Sequence, residues 1–371
     1  MLKQFAYNAA GLEASAIDIV EGALSLARQT YEGKKDADYN SKNAFICGQM
    51  ALYALEGSRF ASRLDGITDE AAKNEAARKL FEEPMVNTNT GIRSNFDLIL
   101  SQVITAINPE VSNEIFSGLI AETRQIGYGD TAVFQLESND LFAVKEIAEG
   151  VRRGVDQPMW DDEVTVHPTP ATIDTHIDWY PFAAGRFDMG YFAVKIAKSF
   201  AAYIFAKTVK GLTAATTAFG AAYSANGVSV QNWGTLRQRV QAANGGMKVI
   251  AVGTPIALSN CAITGNYQVA IGDEMTKVGY ISTYLQTPLM AIDNVMVPGT
   301  VNSTGQLLLP DDRIYMIPVA GDKPVKIVFE GNQTTVTDNP EDCSDLRYGV
   351  HVKIRVGVAC VAGSKFGTII L

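Results

Sequence analysis

From Val350 to Val358 every second residue is valine or isoleucine, and the residues between them are His351, Lys353, Arg355 and Gly357. Successive side chains of an extended chain point to opposite faces, so this run predicts a strand with one dry face and one wet face. The beginning of the chain has a different period. Up to about Phe81 apolar residues recur at three and four, as in Ile17, Val20, Leu24 and Ala27, then Phe45, Met50, Leu52 and Leu55, with Gly33, Asp36 and Asp38 between the two stretches. Residues Asp69 to Glu83 are rich in alanine and in opposite charges at helical spacing, and Pro84 is expected to stop that helix. A helix-rich start and a strand-rich end predict an α+β fold.

Between these ends, Ile92 to Gln125 reads as two helical pieces split at Asn108-Pro109, because proline disfavours helix in the residue before it; a bent arm is expected. The period then changes to two in GDTAVFQLES, where Ala132, Phe134 and Leu136 alternate with Val133, Gln135 and Glu137. In Glu163 to Trp179, residues Ile173, Thr175, Ile177 and Trp179 share one face and Thr172, Asp174, His176 and Asp178 the other. Pro168 and Pro170 cannot donate to a ladder, so this segment is expected at an edge or in a projecting hairpin. A long helix is predicted over about Phe187 to Ala218 and a short one over Trp233 to Ala243, ended by Gly245-Gly246. Strands are predicted at Lys248 to Val252, Arg313 to Val319 and Val325 to Glu330. No solenoid or propeller period recurs.

With 371 residues, 47% hydrophobic and 19% charged, the chain has material for a full core without staples. Its net charge of -9 argues against a nucleic-acid coat, which needs clustered Lys and Arg to neutralise phosphates. Cys47, Cys261, Cys343 and Cys360 lie far apart with no C-x-x-C, so free, reduced, buried thiols are expected. The start lacks the pattern of a secretory signal, which predicts synthesis and use in a cytoplasm and makes the sequons at Asn302 and Asn332 chance matches. The most apolar helix carries Lys195, Lys198 and Lys207, each costing roughly 3 kcal/mol inside a bilayer, so no membrane span is expected.

The search for chemistry is quiet. His167, His176 and His351 sit in extended segments without a second ligand at helical spacing, so no metal site is expected. No nucleophile elbow, phosphate loop or dinucleotide fingerprint occurs, so no catalytic residue and no cofactor is predicted. Asp161, Asp162 and Glu163 read as solvated charge rather than a cation site, and Phe187, Tyr191, Phe192, Phe200, Tyr203 and Phe205 as core rather than a ligand box.

The order of these parts resembles the major capsid proteins of tailed bacteriophages with the Hong Kong 97 fold. It runs through an arm, Arg124-Gln-Ile-Gly-Tyr-Gly-Asp-Thr131 entering a projecting loop, a long helix, a short helix, a strand-rich lobe and Tyr348-Gly-Val-His-Val-Lys-Ile-Arg-Val-Gly-Val358 as closing strand. The resemblance covers about Ile92 to Leu371. It implies a helical region over 1–90 like the scaffold extensions that relatives often remove, an arm over 91–128 and an extended β-hairpin loop over 129–180. A peripheral domain with a spine helix over 181–246, an axial domain with a central sheet over 247–344 and a closing strand over 345–371 complete it. It further implies self-assembly as pentamers and hexamers into an icosahedral shell around double-stranded DNA, which the shell contacts weakly, with portal and possibly scaffold or decoration proteins as partners. Assembly in the host cytoplasm and residence in the virion follow.

Repeating contacts must close, which a reaching loop and arm allow. Lys145, Arg152, Arg153, Asp161, Asp162, Glu163, His167 and Trp179 are the expected inter-subunit contacts. Some relatives cross-link a loop lysine to a neighbour's asparagine with help from a glutamate; Lys145 is the only lysine between Gly129 and Tyr180, and nothing in the sequence places such an Asn and Glu beside it in the fold, so that chemistry is not expected. The alternatives are an encapsulin-type shell holding protein cargo, a soluble enzyme with a site assembled from distant residues, and another phage structural protein of the tail or decoration kind.

Overall fold

The computed structural model describes residues 12–116, 120–137, 142–144, 146, 160–261, 277–299, 303–319, 323–331, 334–337, 347–361 and 365–371. In chain order come helices α1 (Ala14–Tyr31), α2 (Tyr39–Leu55), α3 (Glu70–Leu80), α4 (Pro84–Asn87) and α5 (Thr90–Phe116). Strands β1 (Ala121–Ile126), β2 (Ala132–Glu137), β3 (Trp160–Val166) and β4 (Thr169–Asp178) follow, then α6 (Trp179–Ala183), α7 (Met189–Ala218), β5 (Ser224–Asn226) and α8 (Val230–Ala243). The remainder is β6 (Val249–Gly253), α9 (Pro255–Ser259), β7 (Thr283–Tyr284), β8 (Thr287–Ala291), β9 (Arg313–Pro318), β10 (Val325–Glu330), β11 (Thr334–Thr337), β12 (Arg347–Cys360) and β13 (Gly367–Ile370). The mixed helix and sheet architecture expected from the two periods is present.

These elements form two compact units. The first comprises Met1–Ile115, Thr169–Ala201 and Gly331–Arg355. Here α1 buries Ala16, Ile19, Val20, Ala23, Leu24 and Ala27, the stripe that the spacing of three and four dictates. Gly190 opens the way for α7 to lie against α1, since a Cβ there would stand 2.8 Å from the Leu26 backbone. Asp69 caps α3 by accepting from the Ala72 N–H at 3.0 Å. The centre is aromatic: Phe81, Phe96, Trp179, Phe182 and Tyr348 pack with ring centroids 5.0 to 6.0 Å apart. Most of these pairs are tilted or edge-on, the arrangement that ring quadrupoles favour.

Two prolines act otherwise than their local signals predict. The proline of Asn108-Pro109 does not split the arm, and α5 runs unbroken to Phe116. The turns before it bury Ile92, Phe96, Ile99, Leu100, Val103, Ile104 and Ile107, and that apolar face outweighs the one hydrogen bond a proline removes. Pro84 likewise does not cut α3, which ends at Leu80; it occupies the first turn of α4, where its missing N–H costs nothing.

The second unit comprises Phe116–Pro168, Ala202–Glu330 and Val356–Leu371. Its main sheet has the order β5-β13-β9-β6-β8-β7. Strand β6 is buried throughout, antiparallel to β9 and parallel to β8. Trp233, Leu236 and Val240 of α8 cover one face together with Val249, Ala251, Ile314, Met316 and Ile369. The Trp233 indole N–H donates to Thr287 Oγ1 at 3.1 Å, and its ring meets Tyr284 edge-on at 4.9 Å. Elsewhere in this unit β1 runs parallel to β10, which pairs antiparallel with Val356–Cys360 of β12. Thus Ala121–Ile126, expected to continue the helical arm, is a strand because β10 supplies its ladder partner.

The alternation read in β12 holds from Val350 to Val356, whose valines and isoleucine are buried while Lys353 and Arg355 are exposed; Val358 is only half-buried. Strands β7 and β8 are joined by a two-residue turn in which Leu285 (φ 44°) and Gln286 (φ 63°) both have positive φ. That is the signature of a type I′ hairpin built without Gly, Asn or Asp. Arg237 of α8 clamps it, donating to the Leu285 carbonyl at 2.7 Å and to Gln286 Oε1 at 3.3 Å. Replacing Leu285→Asn with Gln286→Gly is expected to relieve about 1 kcal/mol per residue. A rise in the thermal midpoint would register this, and an unchanged or lower midpoint would show that the turn carries no strain.

Candidate assembly surfaces

The hairpin of β2 and β3 packs one face against β1, β10 and β12, and its sequence explains how it is held. In register Ala132 faces Val166, Phe134 faces Val164 and Gln135 faces Glu163, with an irregularity after Leu136. One face of the hairpin base is apolar: Ala132, Phe134, Val166 and Val328 form a cluster with Ile126, Val164 and Ala359 against it. Gly357 of β12 makes the close approach possible, because a Cβ there would stand 2.7 Å from Val166 and 3.1 Å from the His167 carbonyl.

Charges complete the root of the hairpin. Lys326 on β10 is 1% exposed and its Nζ lies 2.6 Å from Glu122 Oε2 on β1. Arg124 binds the other oxygen of the same carboxylate through Nε at 2.9 Å and Nη2 at 2.8 Å, and its Nη1 donates to the Val133 carbonyl at 3.1 Å. Both cations lie over the Phe134 ring, at 4.3 Å for Arg124 and 5.4 Å for Lys326. The Gly129 N–H donates to Glu330 Oε1 at 3.0 Å, and Asp130 accepts from the Gly127 N–H at 3.2 Å. Burial pushes the Glu122 carboxyl upward, but Lys326 and Arg124 more than offset it and hold the group below the usual carboxylate range.

In the other unit the outward face of β4 is polar. His351 Nδ1 of β12 lies 2.6 Å from Asp174 Oδ1, and His176 Nε2 lies 3.8 Å from Asp178. Ala171, Ile173, Thr175 and Ile177 take the inward side, as the alternation required. Burial pushes the thiols of Cys47, Cys261 and Cys360 up to about 12, which leaves them protonated at neutral pH. Among the described residues no cluster of three or more His, Cys, Asp or Glu is placed to hold a metal, and no helix is long and apolar enough to cross a membrane.

Of the residues expected at contacts, Glu163 and His167 are exposed on and just after β3. Lys145, Arg152 and Arg153 lie outside the described residues, as does Cys343; Asp161 and Asp162 fall in β3, with their side chains outside the description. Trp179 requires correction. It is 2% exposed, closed in by Phe81, Phe96, Phe182 and Tyr348, because the chain turns from β4 into α6 at this residue and carries the ring into the core. Glu122, Lys326 and Glu330 were not singled out from sequence. The available signal was a lysine and a glutamate flanking Val328 on one face of an otherwise apolar strand.

Two outcomes test this geometry. Trp179→Ala is expected to lower the stability of the unassembled chain by about 3–5 kcal/mol, the cost of a large core deletion, whereas a surface contact would leave chemical denaturation unchanged. Glu122, whose folded pKa is depressed, adds stability at pH above its unfolded pKa of about 4.3 that is lost as pH falls through the lower folded value. Melting curves between about pH 3 and 6 should therefore fall less steeply for Glu122→Gln than for wild type.

A family model described as "SPbeta prophage-derived putative capsid protein YonB" matches residues 61–370. No curated protein matches the chain by sequence. Among solved structures, the capsid of the native GTA particle is similar at 13% identity and TM-score 0.48, covering 70% of this chain and 90% of that one. The mature capsid of bacteriophage PhiM1 gives 11% identity and TM-score 0.45 over 68% and 86%. The virus-like particle of Pyrococcus furiosus gives 7% identity and TM-score 0.41 over 72% and 97%. The family match spans most of the chain and begins within the helical region expected as an extension, and the chain belongs to the YonB family of prophage-derived capsid proteins.

Proposed function

We propose that this capsid protein is the major building block of a phage head, closing as rings of five and six copies into an icosahedral shell around double-stranded DNA. The observation that carries the reading is the family match over residues 61–370. The anchored hairpin supports it physically. A closed shell needs repeated heterologous contacts, and an arm-like hairpin whose root is fixed by Glu122, Lys326 and Glu330 can present the same surface from every copy. Glu163 and His167, with Asp161 and Asp162 of β3 and with Lys145, Arg152 and Arg153 from the sequence that separates the hairpin's two strands, are the proposed contact residues. The role is structural rather than enzymatic. The net charge of -9 favours a shell that touches its DNA weakly and without sequence preference. Assembly in a bacterial cytoplasm, with a portal and possibly a scaffold or decoration protein, belongs to the same proposal, as does the division into extension, arm, loop, peripheral and axial regions.

An encapsulin-type compartment is the second reading, and the helical region before residue 91 weighs against it. Negative-stain electron microscopy of the chain expressed alone, after size-exclusion chromatography, decides between them. Icosahedral shells, tubes or isolated rings of five or six are expected, and nucleic acid within particles recovered from phage-producing cells separates a head from a protein-filled compartment. A uniform monomer or dimer would overturn both.

A further inference from the structure

Helix α7 runs against the charge balance of the chain. The sequence holds 40 acidic residues in 371, yet none of the 30 residues of α7 is Asp or Glu, while Lys195, Lys198, Lys207 and Lys210 all lie on it. At about 100° per residue the four fall within one half of the helix circumference. That half is the wet one. Lys195, Lys198 and Lys210 are exposed and Lys207 is half-buried, whereas Val194, Ala197, Ala201, Ile204 and Phe205 are buried on the other side.

Three of these charges are left open. Lys35, Lys42, Lys79 and Lys326 are paired with carboxylates, whereas Lys195, Lys198 and Lys210 have no carboxylate partner among the described residues. The lysines of α7 lie over rings instead: Lys195 Nζ is 6.0 Å from the Tyr191 centroid, Lys198 Nζ 5.2 Å from that of Tyr31 and Lys207 Nζ 4.8 Å from that of Tyr203. A tyrosine ring orients an ammonium group without neutralising it. Asp188, the acid that directly precedes the helix, is already taken by Lys35 Nζ at 2.8 Å and the Tyr191 N–H at 2.9 Å.

We propose that this face of α7 is the surface by which each subunit touches the phosphate backbone of duplex DNA. This deepens the shell reading above and rests on it. Composition favours DNA over a second copy of the chain as the occupant, because the centres of protein interfaces are depleted in Lys, Ser and Ala, and this face is built from the four lysines with Ser199, Ala206 and Ala214. Lysine also suits phosphate, since its ammonium is a hydrated point charge that needs no fixed geometry and reads no base. From Lys195 to Lys210 the helix rises about 22 Å, roughly two-thirds of a duplex turn, so one subunit meets at most about four phosphates. An acidic subunit with one basic face repels the duplex elsewhere and touches it here, which keeps the contact weak and local.

Anisotropy of a labelled duplex titrated with the full chain, kept below its assembly concentration, tests this from about 50 to 200 mM salt. Wild type is expected to bind with a log–log salt slope of about -3 to -4, set by four lysines at roughly 0.9 per phosphate. Lys195→Gln combined with Lys198→Gln and Lys210→Gln should bind at least about tenfold more weakly at the lowest salt, with the slope reduced by roughly 2 to 3. The same three positions changed to Arg should bind as wild type does. Lys34→Gln combined with Lys248→Gln and Lys353→Gln removes the same charge from exposed lysines elsewhere and should alter affinity less than about twofold. Equal loss in the two Gln variants would trace binding to net charge and overturn the proposal, and so would wild-type affinity in the α7 Gln variant. If that variant binds DNA normally but no longer forms particles, the face belongs to a neighbouring copy instead. Shells from a wild-type chain that shows no salt-dependent DNA binding overturn the inference and leave the shell reading standing. A chain that stays monomeric yet loses DNA only in the α7 variant sinks the shell reading and keeps the phosphate-binding face.

Discussion

Strand β12 is the constraint on which much else depends. Fourteen consecutive residues must have their backbone donors and acceptors paired, and most of their side chains on one face must be covered. The chain meets that demand differently along its length. Thr334–Thr337 of β11 pairs with Val350–Lys353, and β4 also pairs with β12; farther along, Val325–Phe329 of β10 pairs with Val356–Cys360. Each half thus recruits partners from sequence far away, and these partners bring charged groups with them: β4 carries the polar His and Asp face, and β10 carries Lys326 and Glu330.

Burial of a lysine at the hairpin root is the second determinant. An isolated ammonium in a protein interior costs several kcal/mol, so Lys326 dictates that Glu122 stand beside it, and Glu122 in turn gathers Arg124. Arg124 then reaches the Val133 carbonyl and lies over Phe134, tying β1 to the first strand of the hairpin. Such a chain of obligations gives an otherwise exposed hairpin a rigid base without enlarging the core. It also accounts for the strongly placed charges at this root: they tie β1, β10 and the first strand of the hairpin together.

The two units solve their cores with different chemistry. One relies on five aromatic rings gathered from α5, α6, β12 and the turn after α3, whose large areas compensate for a small number of residues. The other relies on an aliphatic sheet with β6 and β9 at its centre, covered by α8 and closed by one indole hydrogen bond. Both are close-packed, as the glycines at 190, 357 and 367 show, since each sits where a Cβ would meet a neighbour at 2.8 Å or less.

The sequence by itself determined every element whose period is local. The α1 stripe, the long α7 helix, the Gly245-Gly246 stop after α8, and the alternation in β2, β4 and β12 are all written in residues a few positions apart, because side-chain direction follows backbone geometry. It also carried an order of parts that resembles tailed-phage capsid proteins. Tertiary structure alone decided the rest. Ala121–Ile126 became a strand because β10 was there to pair with it, α5 ran through Pro109 because its buried face outweighed one lost bond, and Trp179 left the expected contact surface for the core because the chain turned at that residue. Lys326 with Glu122 owes its meaning to burial, which depends on what the chain folds against the pair and cannot be read from neighbours in sequence.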